Sequence, residues 1–342
     1  MQKNATTQKI LEKGYRYFDQ AQYNDAMDCF SRVMQLDDGN EEALAAYNQV
    51  IQVVVPRYHF NMLNDVERNE KYDAAIRRAI CGGESVLDVG TGSGLLSMMA
   101  ARAGAKGVYA CEMVKPVAEV AKTVVAANGF ADRIRVIGKK SDELVVGVDI
   151  PHRLDLLITE TIDSALIGEG IIPIVQHAKK YLLADDARIV PMAARVEGAL
   201  LHSDAVFALN HAQQAVGLDV SGFNQLATQG TFPVRLEMFE HRFLCEPFEI
   251  CRFDFQSGEL KKNDISIPVR VTGPGVCHAV AFWFDLYLDA ETTFTSSPIN
   301  AKTHWKQAVR CFQEPIPVAD KQMLTLHVTQ DLTRFSFDIS QR

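Results

Sequence analysis

Short apolar runs alternate with helical stretches between residues 53 and 190, and this alternation restricts the possible folds more than any other feature of the chain. The runs SVLDVG, GVYACE, RIRVIG and LDLLITE are continuous and rich in β-branched residues, which is typical of buried parallel strands. The segments LLSMMAARAG and PVAEVAKTVVAANG have a helical pattern, and each ends with a glycine. The pattern predicts right-handed βαβ units and therefore a doubly wound, Rossmann-like α/β domain at 53–190.

Residues 1–52 precede this domain and have a helical pattern. Four positions have the spacing of the small and aromatic residues in a tetratricopeptide repeat, namely Gly14, Tyr17, Ala26 and Phe30. The sequence contains one full repeat, and a single repeat does not bury its own apolar face. We therefore expect this tetratricopeptide-like region to pack on the next domain or on a partner, either as an accessory helical pair or as a module that recruits substrate.

The chain becomes rich in strands after Pro191. The runs ARVEGALLHS, FEICRFDF, ISIPVRVTG, HAVAFWFDLYLD and MLTLHVTQ alternate with turn residues, and RFSFDIS closes the chain. This pattern predicts a β-barrel or sandwich domain at 191–342. A helical pattern near 204–230 interrupts the strands, and we expect it to form a projecting arm.

The composition argues against several classes of function. The 342 residues carry a formal net charge of -8, whereas proteins that bind nucleic-acid backbones are usually basic, so no direct nucleic-acid partner is expected. The seven cysteines are scattered without a CxxC pair, so we predict no zinc site, redox motif or other metal centre. No run has the length of a membrane span, and the first residues lack the apolar segment of a signal peptide. A cytoplasmic protein without a membrane partner is the expectation.

The segment VLDVGTGSG places Gly90, Gly92 and Gly94 between the first predicted strand and its helix. Glycines at this position let the backbone approach a ligand at the edge of the sheet, and Glu112 at the end of the next strand suits the two hydroxyls of a ribose. These features alone also suit a dinucleotide. The GxGxG spacing and the preceding Asp88, in the form LDVG, favour S-adenosylmethionine.

The segment ETIDSALIGEG follows the fourth predicted strand and places Glu160 and Glu169 nine residues apart. Taken alone, these residues are equally consistent with a solvated acidic loop and with a functional pair of carboxylates. The rest of the sequence is needed to choose between the two interpretations.

Four motifs, in their order along the chain, resemble those of the protein arginine methyltransferase family. They are HFNMLNDVERNEKY before the sheet, VLDVGTGSG with Glu112, the acidic loop ETIDSALIGEG, and KTHWKQ in the strand-rich region. The resemblance spans roughly Arg57 to Arg342. Within the family, VYACE, VVAANG, the acidic loop and the upstream repeat are most similar to the protein arginine methyltransferase 9 branch, which carries two tandem catalytic-type modules where this chain has one.

The resemblance implies methyl transfer from S-adenosylmethionine to a guanidino nitrogen of arginine in a protein substrate, with S-adenosylhomocysteine as the product. Glu160 and Glu169 would then hold the guanidinium, a planar cation whose pKa is about 12.5–13.8, by charge-assisted hydrogen bonds. Such a clamp draws positive charge toward the bonded nitrogens and aims the free nitrogen at the methyl group, and this orientation is worth up to ~7–11 kcal/mol.

The resemblance also implies residues that contact the cofactor. Arg68 would pair with the carboxylate of the cofactor, and His59 and Met62 would line its methionine end, although a methionine also fills cores. Lys140 and Ser141 follow the third predicted strand and would meet the adenine, and Ser141 is equally suited to a helix cap.

Two residues of the KTHWKQ motif have implied roles. His304 resembles a histidine that pairs with an aspartate, here Asp65, and the pair would tie the barrel to the cofactor domain and help to move the departing proton. Trp305 would form an aromatic wall against the guanidinium or its stem, or would simply pack.

The acidic loop departs from the commonest form of the family. Thr161 and Ile162 replace a bulky Trp-Met-type pair, which resembles the branches that monomethylate or symmetrically dimethylate arginine. Asp163 adds a third acid, which is expected either to bind a basic residue beside the target arginine or to cap the loop. The resemblance finally implies a head-to-tail homodimer in which the arm at 204–230 docks on the cofactor domain of the partner.

Two other classes of function remain open at the level of the sequence. One is a catalytically silent scaffold with a methyltransferase fold, although the intact set of predicted site residues argues against loss of activity. The other is an enzyme acting on a small molecule, either a methyltransferase or a nicotinamide-dependent oxidoreductase.

Overall fold

The computed structural model describes residues 2–300 and 303–341. The chain begins with three helices, α1 (Gln2–Asp19), α2 (Tyr23–Leu36) and α3 (Glu41–Val54). A Cβ atom at Gly14 would lie 2.5 Å from the ring of Phe30, so glycine is what allows α1 and α2 to approach each other this closely. The buried apolar cluster of this region, from Leu11 to Val50, is formed among α1, α2 and α3 themselves, so the third helix covers the face that the sequence analysis expected the next domain or a partner to cover. Asp28 also forms an ion pair of 2.6 Å with Lys115 of the α/β domain.

The α/β domain contains a five-stranded parallel sheet with the order β3-β2-β1-β4-β5. Its strands are β1 (Ser85–Val89), β2 (Gly107–Cys111), β3 (Ile134–Ile137), β4 (Leu154–Thr159) and β5 (Leu183–Val190). Its helices are α4 (Tyr58–Leu63), α5 (Val66–Ala79), α6 (Leu95–Arg102), α7 (Lys115–Ala127) and α8 (Ile171–His177). A 3₁₀ turn at Ser141–Glu143 follows β3, and a π-helical turn at Ala178–Leu182 follows α8. The predicted Rossmann-like architecture is confirmed.

The strand order of this sheet determines where a ligand binds. Strand β1 lies between β2 and β4, so the direction of winding reverses beside β1, and ligands of such sheets bind outside the carboxyl ends of the strands at this point. The loops after β1 and β4 meet there. A Cβ atom at Gly90 would lie 2.7 Å from the Cγ2 atom of Thr161, which shows how closely the two loops are packed.

The C-terminal domain is antiparallel and barrel-like. One sheet has the order β10-β6-β13-β15-β9, with β11 paired to β6 and β14 to β13, and a second has the order β12-β16-β17. The strands are β6 (Ala193–His202), β7 (Gln214–Ala215), β8 (Leu218–Asp219), β9 (Phe232–Val234), β10 (Arg242–Phe243), β11 (Phe248–Asp254), β12 (Asn263–Arg270), β13 (Gly275–Tyr287), β14 (Thr293–Thr295), β15 (Gln307–Val318), β16 (Met323–Gln330) and β17 (Phe335–Gln341). The six predicted strands are present. The long strand β15 was not predicted, because Glu314 and two prolines interrupt its apolar pattern.

The predicted helical arm at 204–230 is wrong in its secondary structure. Only α9 (Asp204–Phe207) is α-helical, and it is followed by the β7–β8 hairpin and by a 3₁₀ helix at Ser221–Leu226. The backbone of Val216 and Gly217 is left-handed, with φ of 52° and 78°, and this tight turn ends any helical continuation. Side-chain to backbone hydrogen bonds, such as that between Asn210 and Thr228, hold the segment together instead.

The composition also led to expectations about membrane spans, cysteines and metal sites. Among the described residues, no helix combines the length and the apolar character that crossing a membrane requires. All seven cysteines are free, and four of them are buried, namely Cys111, Cys245, Cys277 and Cys311. Within the described part of the chain, no cluster of histidine, cysteine and acidic residues has the arrangement of a metal site.

Candidate active site

A cavity of about 850 Å³ opens where the carboxyl edge of the parallel sheet meets α4 and the rim of the barrel. Most predicted site residues line it, namely His59, Met62, Gly90, Gly92, Glu112, Glu160, Asp163, Glu169, His304 and Trp305. Asp65, Arg68 and Asp88 are buried outside the lining. Ser141 begins the 3₁₀ turn after β3, and Lys140 directly precedes it. Neither residue lines the cavity, so their contact with adenine stays a prediction.

Asp88, near the end of β1, stabilises the glycine-rich loop that follows this strand. The Oδ2 atom of this buried carboxylate accepts hydrogen bonds from the hydroxyls of Thr91, at 2.7 Å, and Ser97, at 2.6 Å. Gly92 has a φ of 55°, and a Cβ atom there would meet no protein atom within 4 Å. The loop backbone is therefore held in a conformation that favours glycine, and it leaves open space on the cavity side.

Glu112 lies beside this loop at the end of β2. Its carboxylate accepts hydrogen bonds from the backbone N–H groups of Gly92, at 3.2 Å, and Val114, at 2.9 Å. These bonds orient the side chain toward the cavity that it lines, where its remaining lone pairs suit the hydroxyls of a ribose.

The cavity fits S-adenosylmethionine at its methionine end as well. Arg68 is buried, and its Nε atom has no hydrogen-bond partner in the described structure, which leaves one donor for a ligand carboxylate. Met62 lines the cavity and belongs to none of the buried apolar clusters of the described residues, which favours contact with a ligand over core filling. His59 also lines the cavity, and the pKa of its imidazole is lowered by burial.

The two glutamates of the acidic loop differ in their surroundings. Glu160 forms a buried ion pair with Arg68, in which the Oε2 and Nη2 atoms are 2.8 Å apart. The sequence interpretation had assigned Arg68 to the cofactor and had not predicted this pair. Arg68 therefore neutralises Glu160 from behind and fixes its orientation, because a buried ion pair tolerates little displacement.

Glu169 is the glutamate that opens to the cavity. Burial raises the pKa of the Glu169 carboxyl group to about 7, with smaller contributions from the negative charges of Glu160 and Asp163. A hydrogen bond with Tyr58 partly offsets this increase. Tyr58 stacks on His59 with ring centroids 4.7 Å apart. The sequence interpretation missed Tyr58, although it directly precedes the HFNML motif. Without substrate, this carboxylate is thus poised to receive a positive charge.

We expect this pKa to control activity in the neutral range. The family resemblance implies a guanidinium substrate, which would bind the ionised form of Glu169. The value of kcat/KM should therefore fall as the pH falls through about 7 and Glu169 of the free protein becomes protonated. The kcat profile should turn at lower pH, because a bound cation stabilises the carboxylate. Rates measured between about pH 5.5 and 8.5 test this, and a kcat/KM that stays level across that range would contradict it.

Asp163 caps the acidic loop from within. Its Oδ1 atom accepts hydrogen bonds from the backbone N–H groups of Ala165, at 3.1 Å, and Gly168, at 3.0 Å. A Cβ atom at Gly168 would lie 2.1 Å from the Oδ2 atom of Asp163, so the loop closes tightly around this carboxylate. Of the two sequence interpretations, loop capping is the one that the contacts favour.

The Asp163→Ala variant separates the two interpretations. Because the loop N–H groups would lose their acceptor, we expect methylation to fall about tenfold for peptides with and without basic residues beside the arginine alike. Asp163→Asn, which keeps one acceptor oxygen, should retain more activity. A loss confined to peptides with flanking lysine or arginine would instead support direct binding of a basic residue.

The predicted pair of His304 and Asp65 is formed. The Oδ2 atom of Asp65 lies 2.8 Å from both the Nδ1 atom and the backbone N of His304. Its Oδ1 atom accepts a hydrogen bond from the backbone N–H of Arg68, so Asp65 also caps α5. The carboxylate thus joins the barrel loop to the helix that carries Arg68, and the Nε2 atom of His304 remains available.

Trp305 is mainly a packing residue and presents little surface to the cavity. Its indole is 4% exposed, its N–H donates to the carbonyl of Ile162 at 3.1 Å, and its ring meets Phe294 edge-on. The tryptophan lines the cavity and supports the acidic loop at the same time. It positions that loop relative to the barrel.

This fold and cavity define the class of the S-adenosylmethionine-dependent methyltransferases, and the comparisons with family models agree with it for both domains. Residues 74–185 match the model described as ribosomal protein L11 methyltransferase. Residues 199–338 match the arginine methyltransferase oligomerization subdomain.

Comparisons with individual proteins identify the family. The chain is 42% identical over 283 residues to arginine N(omega)-methyltransferase of Streptomyces achromogenes subsp. streptozoticus, covering 83% of this chain and 78% of that protein. Protein arginine N-methyltransferase 7 of Drosophila ananassae is 38% identical over 285 residues, and human protein arginine N-methyltransferase 9 is 32% identical over 345 residues. These matches cover 77% and 91% of this chain. The chain spans only 41% and 40% of the length of these two relatives.

A solved structure gives the same fold. The Trypanosoma brucei PRMT1 enzyme–prozyme heterotetrameric complex with AdoHcy matches with a TM-score of 0.71 at 24% identity, covering 83% of this chain and 93% of that chain. The chain belongs to the arginine methyltransferase family. The resemblance inferred from the four motifs is thereby confirmed, as is S-adenosylmethionine as the cofactor of the family to which it belongs.

Proposed function

We propose that this chain transfers a methyl group from S-adenosylmethionine to a guanidino nitrogen of an arginine in a protein. The observation that carries the proposal is the asymmetric pair of glutamates at one cavity. Glu169 opens to the cavity with a raised pKa, and Glu160 is locked beside it by Arg68. A planar cation entering the cavity would meet one carboxylate without an arginine partner and one that an arginine holds in place.

The residues of the chain divide the work of the reaction. The cofactor supplies a methyl group that is already activated by a positive sulfur. Glu169 accepts hydrogen bonds from the guanidinium, and Glu160, which Arg68 holds in place, offers a second acceptor in a fixed orientation, so the unbonded nitrogen gains electron density and is aimed at the methyl group. Since the Nδ1 atom of His304 faces Asp65, the Nε2 atom of His304 is the one that accepts the proton leaving the methylated nitrogen.

The product is proposed to be monomethylarginine or symmetric dimethylarginine. Thr161 and Ile162 line the cavity in place of the bulky pair, and Thr161 shares a hydrogen bond of 3.2 Å with Thr159. These small and fixed side chains shape the space beside the target nitrogen.

Methyl transfer from labelled S-adenosylmethionine to an arginine-rich protein mixture tests the proposal. Fragment spectra locate the methyl group and separate the monomethyl, symmetric and asymmetric products. We expect methylarginine with the wild-type protein and none with Glu160→Gln. Cofactor binding without methylarginine on any acceptor would instead support a catalytically silent scaffold.

The Streptomyces relative favours a second candidate substrate. That protein is named arginine N(omega)-methyltransferase, without reference to a protein substrate, and it is 42% identical to this chain. Methylation of arginine outside a polypeptide is therefore the alternative, and including free arginine in the same assay distinguishes the two.

We further propose a homodimer assembled through the arm at 204–230, which lies within the matched oligomerization subdomain. Three apolar side chains of the arm, Leu218, Phe223 and Leu226, are 71–75% exposed, and exposed apolar groups of this kind favour a partner surface. Light scattering should give about twice the chain mass of 38.0 kDa. Phe223→Asp should shift the particle toward a monomer, whereas Met238→Asp, an equally exposed apolar position outside the arm, should not.

Two remaining sequence predictions belong to this proposal. The free cysteines, four of them buried, support a reducing, cytoplasmic location, which cell fractionation would test. The close packing of Gly14 on Phe30 supports a tetratricopeptide-like helical pair at the start of the chain. Deletion of the pair with cofactor binding as the control would show whether it recruits substrate.

A further inference from the structure

The carboxylates that line the cavity are almost all engaged by the chain itself. Glu160 is paired with Arg68, Glu112 accepts two backbone N–H groups, and Asp163 accepts two more. Glu169 has one such bond, with the side chain of Tyr58, and its other acceptor positions are open to the cavity. Bonds from neutral N–H groups do not remove the charge of Glu112 and Asp163, but they occupy carboxylate oxygens, so Glu169 is the lining carboxylate with the most acceptor capacity left for a substrate.

Two cations line the same cavity and are not engaged. Arg57 lies at the start of α4, next to Tyr58, and Lys306 follows Trp305 in the barrel loop. Across residues 2–300 and 303–341, neither side chain has an ion pair with a carboxylate. Glu169 offers the carboxylate that a guanidinium needs, and the two cations are left without a carboxylate of the chain to pair with.

We propose that Arg57 and Lys306 bind a carboxylate that the substrate carries near the arginine side chain to be methylated, an inference that rests on the proposed function. A substrate with a guanidinium at one end and a carboxylate at the other complements both kinds of charge in the cavity. Two sources have this chemistry. One is the α-carboxylate of free arginine, and the other is an acidic residue next to the arginine of a peptide.

The alternative occupants of the two cations are less suitable. The carboxylate of the cofactor has the unpartnered Nε atom of Arg68, which is buried behind the cavity. A substrate rich in lysine or arginine would bring positive charge to Arg57 and Lys306, and Asp163, the one acid predicted to receive it, is engaged with its own loop. Charge complementarity therefore selects an acidic group over a basic one.

Matched acceptors test the proposal on the whole 342-residue chain. L-arginine is compared with agmatine, which has the same guanidinium and no carboxylate, and a peptide with Asp beside its arginine is compared with the Asn twin. We expect kcat/KM to favour the carboxylate-bearing member of at least one pair on the order of tenfold to a hundredfold, the worth of a charge-assisted hydrogen bond. Binding of each acceptor by calorimetry with S-adenosylhomocysteine present gives the same ratio without turnover.

Variants assign the effect to the two cations. Arg57→Gln and Lys306→Gln, singly and together, should bring the preferred ratio toward one, whereas Lys262→Gln, an exposed lysine of the barrel outside the cavity, should keep the wild-type ratio. A preference in the arginine pair identifies free arginine as the source, and a preference in the peptide pair identifies an acidic neighbour. Ratios near one in both pairs, or a preference that survives the double substitution, would overturn the carboxylate site. Absence of methylation from every acceptor would count against the proposed function, and the binding ratios would still decide this inference.

Discussion

Glu169→Gln should lower kcat/KM for methyl transfer by about 10²–10³-fold, the usual cost of removing one preorganised group that stabilises charge in an active site. Glu169 is the glutamate that faces the cavity without an arginine partner, so no neighbouring carboxylate replaces it. The glutamine keeps the shape of the side chain and one acceptor oxygen but loses the negative charge. The guanidinium would then be held by Glu160, whose charge Arg68 already neutralises.

The comparison with cofactor binding makes this expectation specific. S-adenosylhomocysteine should bind the Glu169→Gln variant with an affinity close to that of the wild type, because the glycine-rich loop and Glu112 are untouched. Glu70→Gln, an exposed position of α5, provides the matched control and should leave both properties unchanged. If the variant retained methyl transfer within about twofold of the wild type, Glu169 would not bind the guanidinium.

Arg68→Gln should have the largest effect on stability. Removing one partner of a buried ion pair costs about 3–5 kcal/mol, because the other charge is left in the interior without compensation. Arg68 and Glu160 have side chains that are 2% and 6% exposed, so Glu160 would be that charge. We expect the free energy of unfolding at neutral pH to fall by this amount.

A double-mutant cycle measures the pair itself. The Arg68→Gln/Glu160→Gln variant should recover part of the lost stability, since neither residue then leaves an unpaired buried charge. Arg77→Gln gives the contrast, because its ion pair with Asp73 involves an arginine that is 59% exposed, and such pairs contribute only about 0–1 kcal/mol. Equal losses for Arg68→Gln and Arg77→Gln in urea unfolding would show that the buried pair is not a stability element.

The sequence predicted those features that depend on neighbours along the chain. Four strands of the parallel sheet were predicted because burial on both faces makes each one a continuous apolar run. Strand β5 was missed, because two exposed aspartates interrupt its apolar pattern. The glycine-rich loop and the acidic loop were predicted because each is a contiguous segment at the end of such a strand. The pairing of His304 with Asp65 was predicted only through family resemblance, since these residues are 239 positions apart.

The arm at 204–230 and strand β15 were not predicted correctly, and the physical reasons differ. Its residues have helical periodicity, but the left-handed turn at Val216 and Gly217 and the hydrogen bonds of Asn210 and Asn224 hold an irregular structure. Local propensity is a weak preference, and contacts between distant residues override it. Strand β15 was missed for the opposite reason, because pairing with β13 supports a sequence that is poor in strand signals.

The sequence by itself determined the α/β architecture, the cofactor loop and the presence of two glutamates in the loop after β4, beside the point where the winding of the sheet reverses. Periodicity and motif spacing are properties of the chain alone. Only the tertiary structure decided what each acid does. Glu160, Asp163 and Glu169 belong to one loop, yet one is paired with Arg68, one caps the loop and one opens to the cavity. Burial and partners from other segments set these three roles, because the energy of a carboxylate depends on the groups that fold around it.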